Sequence, residues 1–138
     1  MNSIFADAGY WIALLNPKDE LHSKAEAVSS QLGPVRLVTS EMILSEVLNY
    51  FAAKGFVLRQ AAVAFAEQIQ SNPNSLVVPQ TSIQFRSAFR LYQQRQDKSW
   101  CLTDCASILI MQAEGINDAL AHDINFRQAG FTVLLRDD

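Results

Sequence analysis

The sequence predicts an α/β fold, in which a central, mainly parallel sheet lies between two layers of helices. Short apolar runs, such as residues 3–6 and 76–78, alternate with segments whose apolar residues recur at helical spacing. Strands buried on both faces have this continuous apolar character, and parallel strands need crossover helices between them. With 138 residues, of which 49% are hydrophobic, the chain can form a proper core. We therefore expect one domain over residues 1–138.

The elements follow in order from apolar runs and from the residues that end them. Five runs are predicted strands: residues 3–6, 35–38, 76–78, 119–121 and 132–135. Helices are predicted over residues 10–15, 18–32, 41–53 and 58–69, after Thr81 or Ser82, and after Thr103, with a short helix or turn at 125–130. Gly and Pro mark several of the breaks, at Pro17, Gly33-Pro34 and Gly115.

Two of these helices have a predicted inner face. In the helix over residues 41–53 the apolar stripe is Leu44, Val47, Leu48 and Phe51, and Glu46 lies at its edge. In the helix after Thr81 the predicted inner face is Phe85, Ala88, Phe89 and Tyr92. Arg86 and Arg90 then point away from the core.

The helix after Thr103 is apolar nearly all round, so we expect it to be buried. Thr103 is a good N-cap residue, and Asp104 follows in the first turn, where the helix dipole favours negative charge. Taken alone, this is only a well-formed helix start. Its burial would nevertheless hold the Asp104 carboxylate rigidly.

Three further acids are expected close to Asp104. Asp7 directly follows the first strand and Asp123 follows the strand at 119–121, while Glu46 lies on the helix leaving the second strand. Ligands of parallel sheets collect at the carboxyl ends of the strands. Acids brought together raise one another's pKa unless a cation neutralises them, and Mg²⁺ or Mn²⁺ suits oxygen ligands. Each acid alone is equally well explained as a turn, cap or solvated residue.

Composition excludes several classes of protein. No apolar run of about 18 residues is present, and the first residues lack the features of a signal peptide, so we expect a cytoplasmic protein. Cys101 and Cys105 have no second Cys or His pair that would complete a zinc site, and we interpret them as core thiols. The net charge of −3 gives no general attraction for nucleic acid.

Four short motifs, in order, resemble those of the PIN-domain family, and of its VapC-type toxin ribonucleases in particular. They are Phe5-Ala6-Asp7 with the following residues 10–15, Ser45-Glu46-Val47-Leu48, Leu102-Thr103-Asp104-Cys105, and residues 121–126 with Gly130-Phe131. The resemblance spans essentially the whole chain and implies a PIN-like three-layer α/β/α fold. One departure is Gly9, since family members often have a hydroxyl residue two places after the first acid.

The resemblance implies a metal-dependent endoribonuclease, the toxin of a toxin–antitoxin pair. Its catalytic and metal-binding residues would be Asp7, Glu46, Asp104 and Asp123, with Mg²⁺ or Mn²⁺ as cofactor and Thr103 in support. The implied partners are an RNA substrate, a cognate antitoxin in a groove near Trp11, and a second copy of the chain in a homodimer. Candidates for phosphate contacts are Arg86, Arg90, Lys54, Arg59, Arg95 and Lys98, although solvated helix faces explain them as well.

Two other functions stay open on the sequence alone. A phosphoryl-transfer domain also places acids after parallel strands, but the haloacid-dehalogenase type needs a second Asp where this chain has Gly9, and a receiver needs adjacent acids early in the chain. A noncatalytic PIN-like domain that binds RNA or protein is the other alternative. Cleavage of RNA that depends on a divalent metal would separate both from the endoribonuclease.

Overall fold

The computed structural model describes residues 2–137, and in this part of the chain it forms one five-stranded, all-parallel sheet with helices around it. The strands are β1 (Asn2–Ala6), β2 (Val35–Ser40), β3 (Ser75–Val78), β4 (Asp118–Leu120) and β5 (Thr132–Val133). The helices are α1 (Ala8–Leu15), α2 (His22–Gln31), α3 (Glu41–Phe51), α4 (Phe56–Ser71), α5 (Ser82–Gln94), α6 (Leu102–Glu114) and α7 (Ile124–Gln128). The predicted fold class is confirmed, and every predicted strand is present.

The strand order β3-β2-β1-β4-β5 places β1 at the centre of the sheet. On one side Phe5 is opposite Val38 of β2, and on the other it is opposite Ala119 of β4. The pairing continues past the end of β1, where the backbone N–H of Asp7 donates to the carbonyl of Leu120 at 3.1 Å. Asp7 therefore leaves the sheet beside the end of β4.

Helix α6 is buried over most of its surface, as the sequence predicts. Its fully or almost fully buried residues include Cys105, Ile108 and Met111. Gly115 ends the helix in the left-handed conformation, with φ of 67°, and the Ile116 N–H closes on the carbonyl of Met111. The start of α6 is thus fixed by the packing of the whole helix.

The predicted inner face of α5 is wrong in three of its four residues. Ala88 is fully buried, but the side chains of Phe85, Phe89 and Tyr92 are 44%, 47% and 52% exposed. The buried stripe of α5 is offset by one residue and combines Ala88 with the partly buried Leu91. A small residue at this place lets α5 approach α6 closely, and the aromatic stripe is left facing outward.

The stripe of α3 is confirmed at Leu44, Val47 and Phe51, whereas Leu48 is 38% exposed. Among the described residues, none of the helices has the length and apolar character needed to cross a membrane.

Candidate active site

A cavity of about 710 Å³ lies at the carboxyl end of the sheet, and all four predicted acids line it. Asp7 follows β1, Glu46 lies on α3, Asp104 on the first turn of α6, and Asp123 precedes α7. We call this cavity the acidic pocket. Its other lining residues are Ala8, Gly9, Ser99, Cys101, His122, Ile124, Asn125 and Arg136.

The Asp7 carboxyl group has a strongly raised pKa. Burial and then the charges of Asp104, Glu46 and Asp123 together raise the pKa to about 7, while a hydrogen bond from the backbone N–H of Ala8 opposes the shift in part. The four acids therefore interact electrostatically, as we expected from their positions along the chain.

Asp104 is held by hydrogen bonds on two sides. One of its oxygens, Oδ2, accepts from the backbone N–H of Cys101 at 3.0 Å and from Nδ2 of Asn125 at 2.8 Å. The backbone N–H of Asp104 in turn donates to Sγ of Cys101 at 3.4 Å, which completes a capping box. The N-cap of α6 is thus Cys101, and the prediction of Thr103 was wrong, because Asp104 at the third helical position pairs with the residue three before it.

Thr103 instead supports the neighbouring acid. Burial raises the pKa of Glu46, a hydrogen bond from Thr103 lowers it, and the charge of Asp104 raises it again. Glu46 remains on the exposed side of α3, so its carboxylate lies at the mouth of the pocket.

Asp123 is the N-cap of α7. Its Oδ1 accepts from the backbone N–H of Asn125 at 3.0 Å. The side chain is exposed, and only one of its oxygens is used by this bond. The second oxygen is left for a water molecule or an ion.

Asn125 is a pocket residue that we did not single out from the sequence. It follows Asp123 by two places, and its amide reaches across to Asp104. The available signal was its position two residues after Asp123, in the first turn of α7. Cys101 was also misjudged, since its thiol is exposed at the pocket, while Cys105 is buried as predicted.

The four acids match a hard divalent cation in donor type, because each offers carboxylate oxygens. Within residues 2–137, however, no three His, Cys, Asp or Glu side chains converge closely enough to hold a metal ion. The hydrogen bonds explain this, since Oδ2 of Asp104 and Oδ1 of Asp123 are turned toward caps. Ion binding would require reorientation of side chains, above all of the exposed Glu46.

Comparison with known proteins gives one consistent relative. No family model matches the sequence. The chain is 27% identical over 131 residues to the 23S rRNA-specific endonuclease VapC20 of Mycobacterium tuberculosis, in strains CDC 1551 and H37Rv alike, and the match covers 93% of this chain and 95% of the relative.

The crystal structure of Mycobacterium tuberculosis VapC20, described as a sarcin–ricin loop cleaving toxin, superimposes with a TM-score of 0.82 at 28% identity. The superposition covers 94% of this chain and 96% of the VapC20 chain. Agreement of sequence and fold over nearly the full length of both proteins matches the motif resemblance. In both sequence and fold the chain is therefore similar to VapC-type PIN-domain proteins over nearly its full length.

Proposed function

We propose that this protein is an endoribonuclease that hydrolyses RNA phosphodiester bonds with the help of Mg²⁺ or Mn²⁺, and that it is the toxin of a toxin–antitoxin pair. The observation that carries the proposal is the acidic pocket, in which four carboxylates line one cavity and the pKa of Asp7 is raised to about 7. Such a group is suited to a site that must exchange a proton for a cation.

Each residue of the acidic pocket has a proposed role that follows from its position. Asp7, Glu46 and Asp104 would hold the cation, which when bound supplies an activated water and positive charge for the phosphate oxygens. Asn125 fixes the orientation of the Asp104 carboxylate through its amide. Thr103 would orient the Glu46 carboxylate through a hydrogen bond. Asp123 would orient the attacking water through the carboxylate oxygen that does not accept from Asn125.

The relative supplies the first substrate to test. VapC20 is named for cleavage of 23S rRNA, and its crystal structure for cleavage of the sarcin–ricin loop. We extend the RNA-cleaving activity to this chain and propose ribosomal RNA that contains this loop as a substrate.

A cognate antitoxin and a homodimer are the proposed protein partners. The antitoxin groove expected near Trp11 and the apolar helices stays a prediction, and Trp11 itself is only 5% exposed. Its ring packs against Tyr10 and Phe65, with centroid distances of 4.9 and 4.8 Å. The antitoxin would therefore contact other residues of these helices.

The direct test is cleavage of an RNA hairpin carrying the sarcin–ricin loop by protein freed of any partner. We expect cleavage with Mn²⁺ or Mg²⁺ and none in EDTA. The rate should rise with pH up to about 7, since the folded Asp7 carboxyl loses its proton there and a protonated acid is a poor ligand. Undiminished cleavage in EDTA would refute the metal-dependent mechanism, and binding of the RNA without cleavage in any metal would favour a noncatalytic PIN-like domain.

A further inference from the structure

A second cavity, of about 490 Å³, adjoins the acidic pocket. Ser99 and Cys101 line both cavities, so the two adjoin at the segment between α5 and α6. We call the second cavity the Lys98 groove. Its lining residues are Tyr92, Arg95, Gln96, Lys98, Ser99, Trp100 and Cys101.

One wall of the Lys98 groove is rigid and positively charged. The guanidinium of Arg95 lies 4.8 Å from the centre of the Trp100 ring and donates to both carboxylate oxygens of Asp97, at 3.0 and 3.1 Å. Trp100 is buried and donates from Nε1 to Gln128 at 3.2 Å. Arg95 is thus held in one orientation at the entrance to the acidic pocket.

Lys98 adds a second positive charge beside Arg95. Within residues 2–137 its ammonium forms no ion pair, although the charges of Arg95 and Lys98 both lower the pKa of Asp97. Four carboxylates on the adjoining pocket repel a phosphate chain, so a substrate strand needs cations beyond them to be held. The Lys98 groove has two positively charged side chains, Arg95 and Lys98, and one acid beside them, Asp97. It lies next to the proposed cleavage site.

The Lys98 groove is also lined by an exposed aromatic residue, Tyr92. Tyr92 is 52% exposed and lines both the Lys98 groove and an adjoining apolar cavity that includes Phe85, Phe89 and Cys101. The rings of Phe85 and Phe89 lie 6.5 Å apart and are tilted by only 20°. Exposed aromatic faces beside cations are the usual means by which proteins hold single-stranded RNA, since bases stack on the rings while phosphates meet the charges.

We propose that the Lys98 groove binds the nucleotide adjacent to the scissile phosphate, with Lys98 on its phosphate and Tyr92 stacked on its base. This rests on the proposed function, because it assigns the path of the same RNA strand. A second copy of the chain is the competing occupant of the aromatic stripe. RNA is favoured because the groove adjoins the acidic pocket at Ser99 and Cys101 and has two cations, Arg95 and Lys98, beside one acid, Asp97.

The test compares Lys98→Ala, Tyr92→Ala and Tyr92→Phe with wild type on a fluorescent RNA of the substrate sequence. In Mn²⁺ we expect Lys98→Ala to raise KM about tenfold with kcat within twofold. In EDTA, where RNA is not cut, the slope of log affinity against log salt should fall by about 0.7 for Lys98→Ala, as for one lost phosphate contact on a single strand. Tyr92→Ala should weaken binding about five- to a hundredfold, and Tyr92→Phe should keep wild-type affinity because the ring remains.

Lys18→Ala is the matched control, because Lys18 is an exposed lysine that lines neither cavity. Equal KM and salt slopes for Lys98→Ala and Lys18→Ala would overturn the proposal. So would a Tyr92→Ala protein that loses activity only as it dissociates from dimer to monomer in sedimentation, which would assign the stripe to a second copy. If wild type cleaves no RNA in any metal, the proposed function fails, while the EDTA binding series still decides whether RNA occupies the groove.

Discussion

The end of β1 and the start of α6 each bring one carboxylate to the acidic pocket. The environment stabilises the charged form of one acid and disfavours that of the other. Asp104 accepts hydrogen bonds from the Cys101 backbone and the Asn125 amide, and it lies on the first turn of a helix, where negative charge is favoured. Asp7 is partly buried after β1 and faces three other acids, so that lost solvation and these charges raise its pKa to about 7.

This difference shows that a member of a capping box can also line the acidic pocket. The sequence left open whether Asp104 was only a well-formed helix start, and in the structure it completes the capping box with Cys101 and also lines the pocket. The repulsion between the gathered acids instead disfavours the charged form of Asp7. Stability and activity should therefore separate the two residues, because they share one proposed role but not one environment.

The largest expected effect is on catalysis, where the two acids should behave alike. Asp7→Asn and Asp104→Asn should each lower kcat/KM by more than about a hundredfold, since loss of even an outer partner of a metal ligand costs about 10–100-fold. Cleavage of the RNA hairpin in Mn²⁺ measures this, with Glu67→Gln on the exposed face of α4 as the control. Near-wild-type rates in either variant would remove that acid from the proposed ligands.

In the absence of metal, the same two positions should differ in the sign of their effect on stability. A folded-state pKa of about 7 against 3.8 means that folded Asp7 binds its proton more tightly than the unfolded chain. The resulting penalty is absent below pH 4, grows between pH 4 and 7, and is complete above pH 7. In EDTA at pH 8, Asp7→Asn should raise the free energy of unfolding by about 2–4 kcal/mol.

Asp104→Ala should instead lower the free energy of unfolding by about 1–2 kcal/mol, since it removes the carboxylate that accepts the Cys101 N–H in the capping box. Urea titrations at pH 4 and pH 8 measure both variants. The gain of Asp7→Asn should nearly vanish at pH 4. A destabilised Asp7→Asn protein at pH 8 would mean that Asp7 is not the strained member of the pocket.

Asn125→Ala should have a smaller effect that is confined to the Asp104 side. Removal of the amide leaves Oδ2 of Asp104 with only the Cys101 N–H, so the carboxylate loses a positioning contact. We expect an activity loss of about 10-fold and a larger loss of Mn²⁺ affinity than of kcat at saturating Mn²⁺. Asn49→Ala, at an exposed site on α3, is the matched control. A fall in kcat that saturating Mn²⁺ does not rescue would contradict the positioning role.

The smallest effect is expected at Gly9, beside Asp7. A Cβ built on Gly9 meets no other described atom within 4 Å, and the residue lies in the first turn of α1. Gly9→Ala should raise the free energy of unfolding by about 0.5–1 kcal/mol, because glycine loses more backbone entropy on folding. Gly9→Ser would restore the hydroxyl usual in the family and should retain at least wild-type cleavage. A lower melting temperature in both variants would show that the pocket has no room there.

Sequence patterns were most informative where one physical cause acted alone. The strands and the buried helix α6 follow from continuous apolar runs, and the acids at strand ends follow from the direction of a parallel sheet. The face of α5 could not be predicted in this way, because two stripes offset by one residue share Ala88 and are both partly apolar. The structure buries Leu91 in part and leaves Phe85, Phe89 and Tyr92 exposed. The cap at Cys101 was missed because thiols are uncommon caps, and the reciprocal bond to Asp104 is a matter of side-chain geometry.

The central position of β1 has a consequence for synthesis of the protein. During translation β1 emerges first and can pair with β2 after some 35 residues, but its other edge waits for β4, more than 110 residues later. Asp7 is likewise made before the other acids, and Asp123 is made last. A nascent chain therefore cannot assemble the acidic pocket until Asp123 has left the exit tunnel. For a protein proposed to cut ribosomal RNA, this topology keeps the site incomplete on the ribosome that makes it until β4 and the fourth acid have emerged.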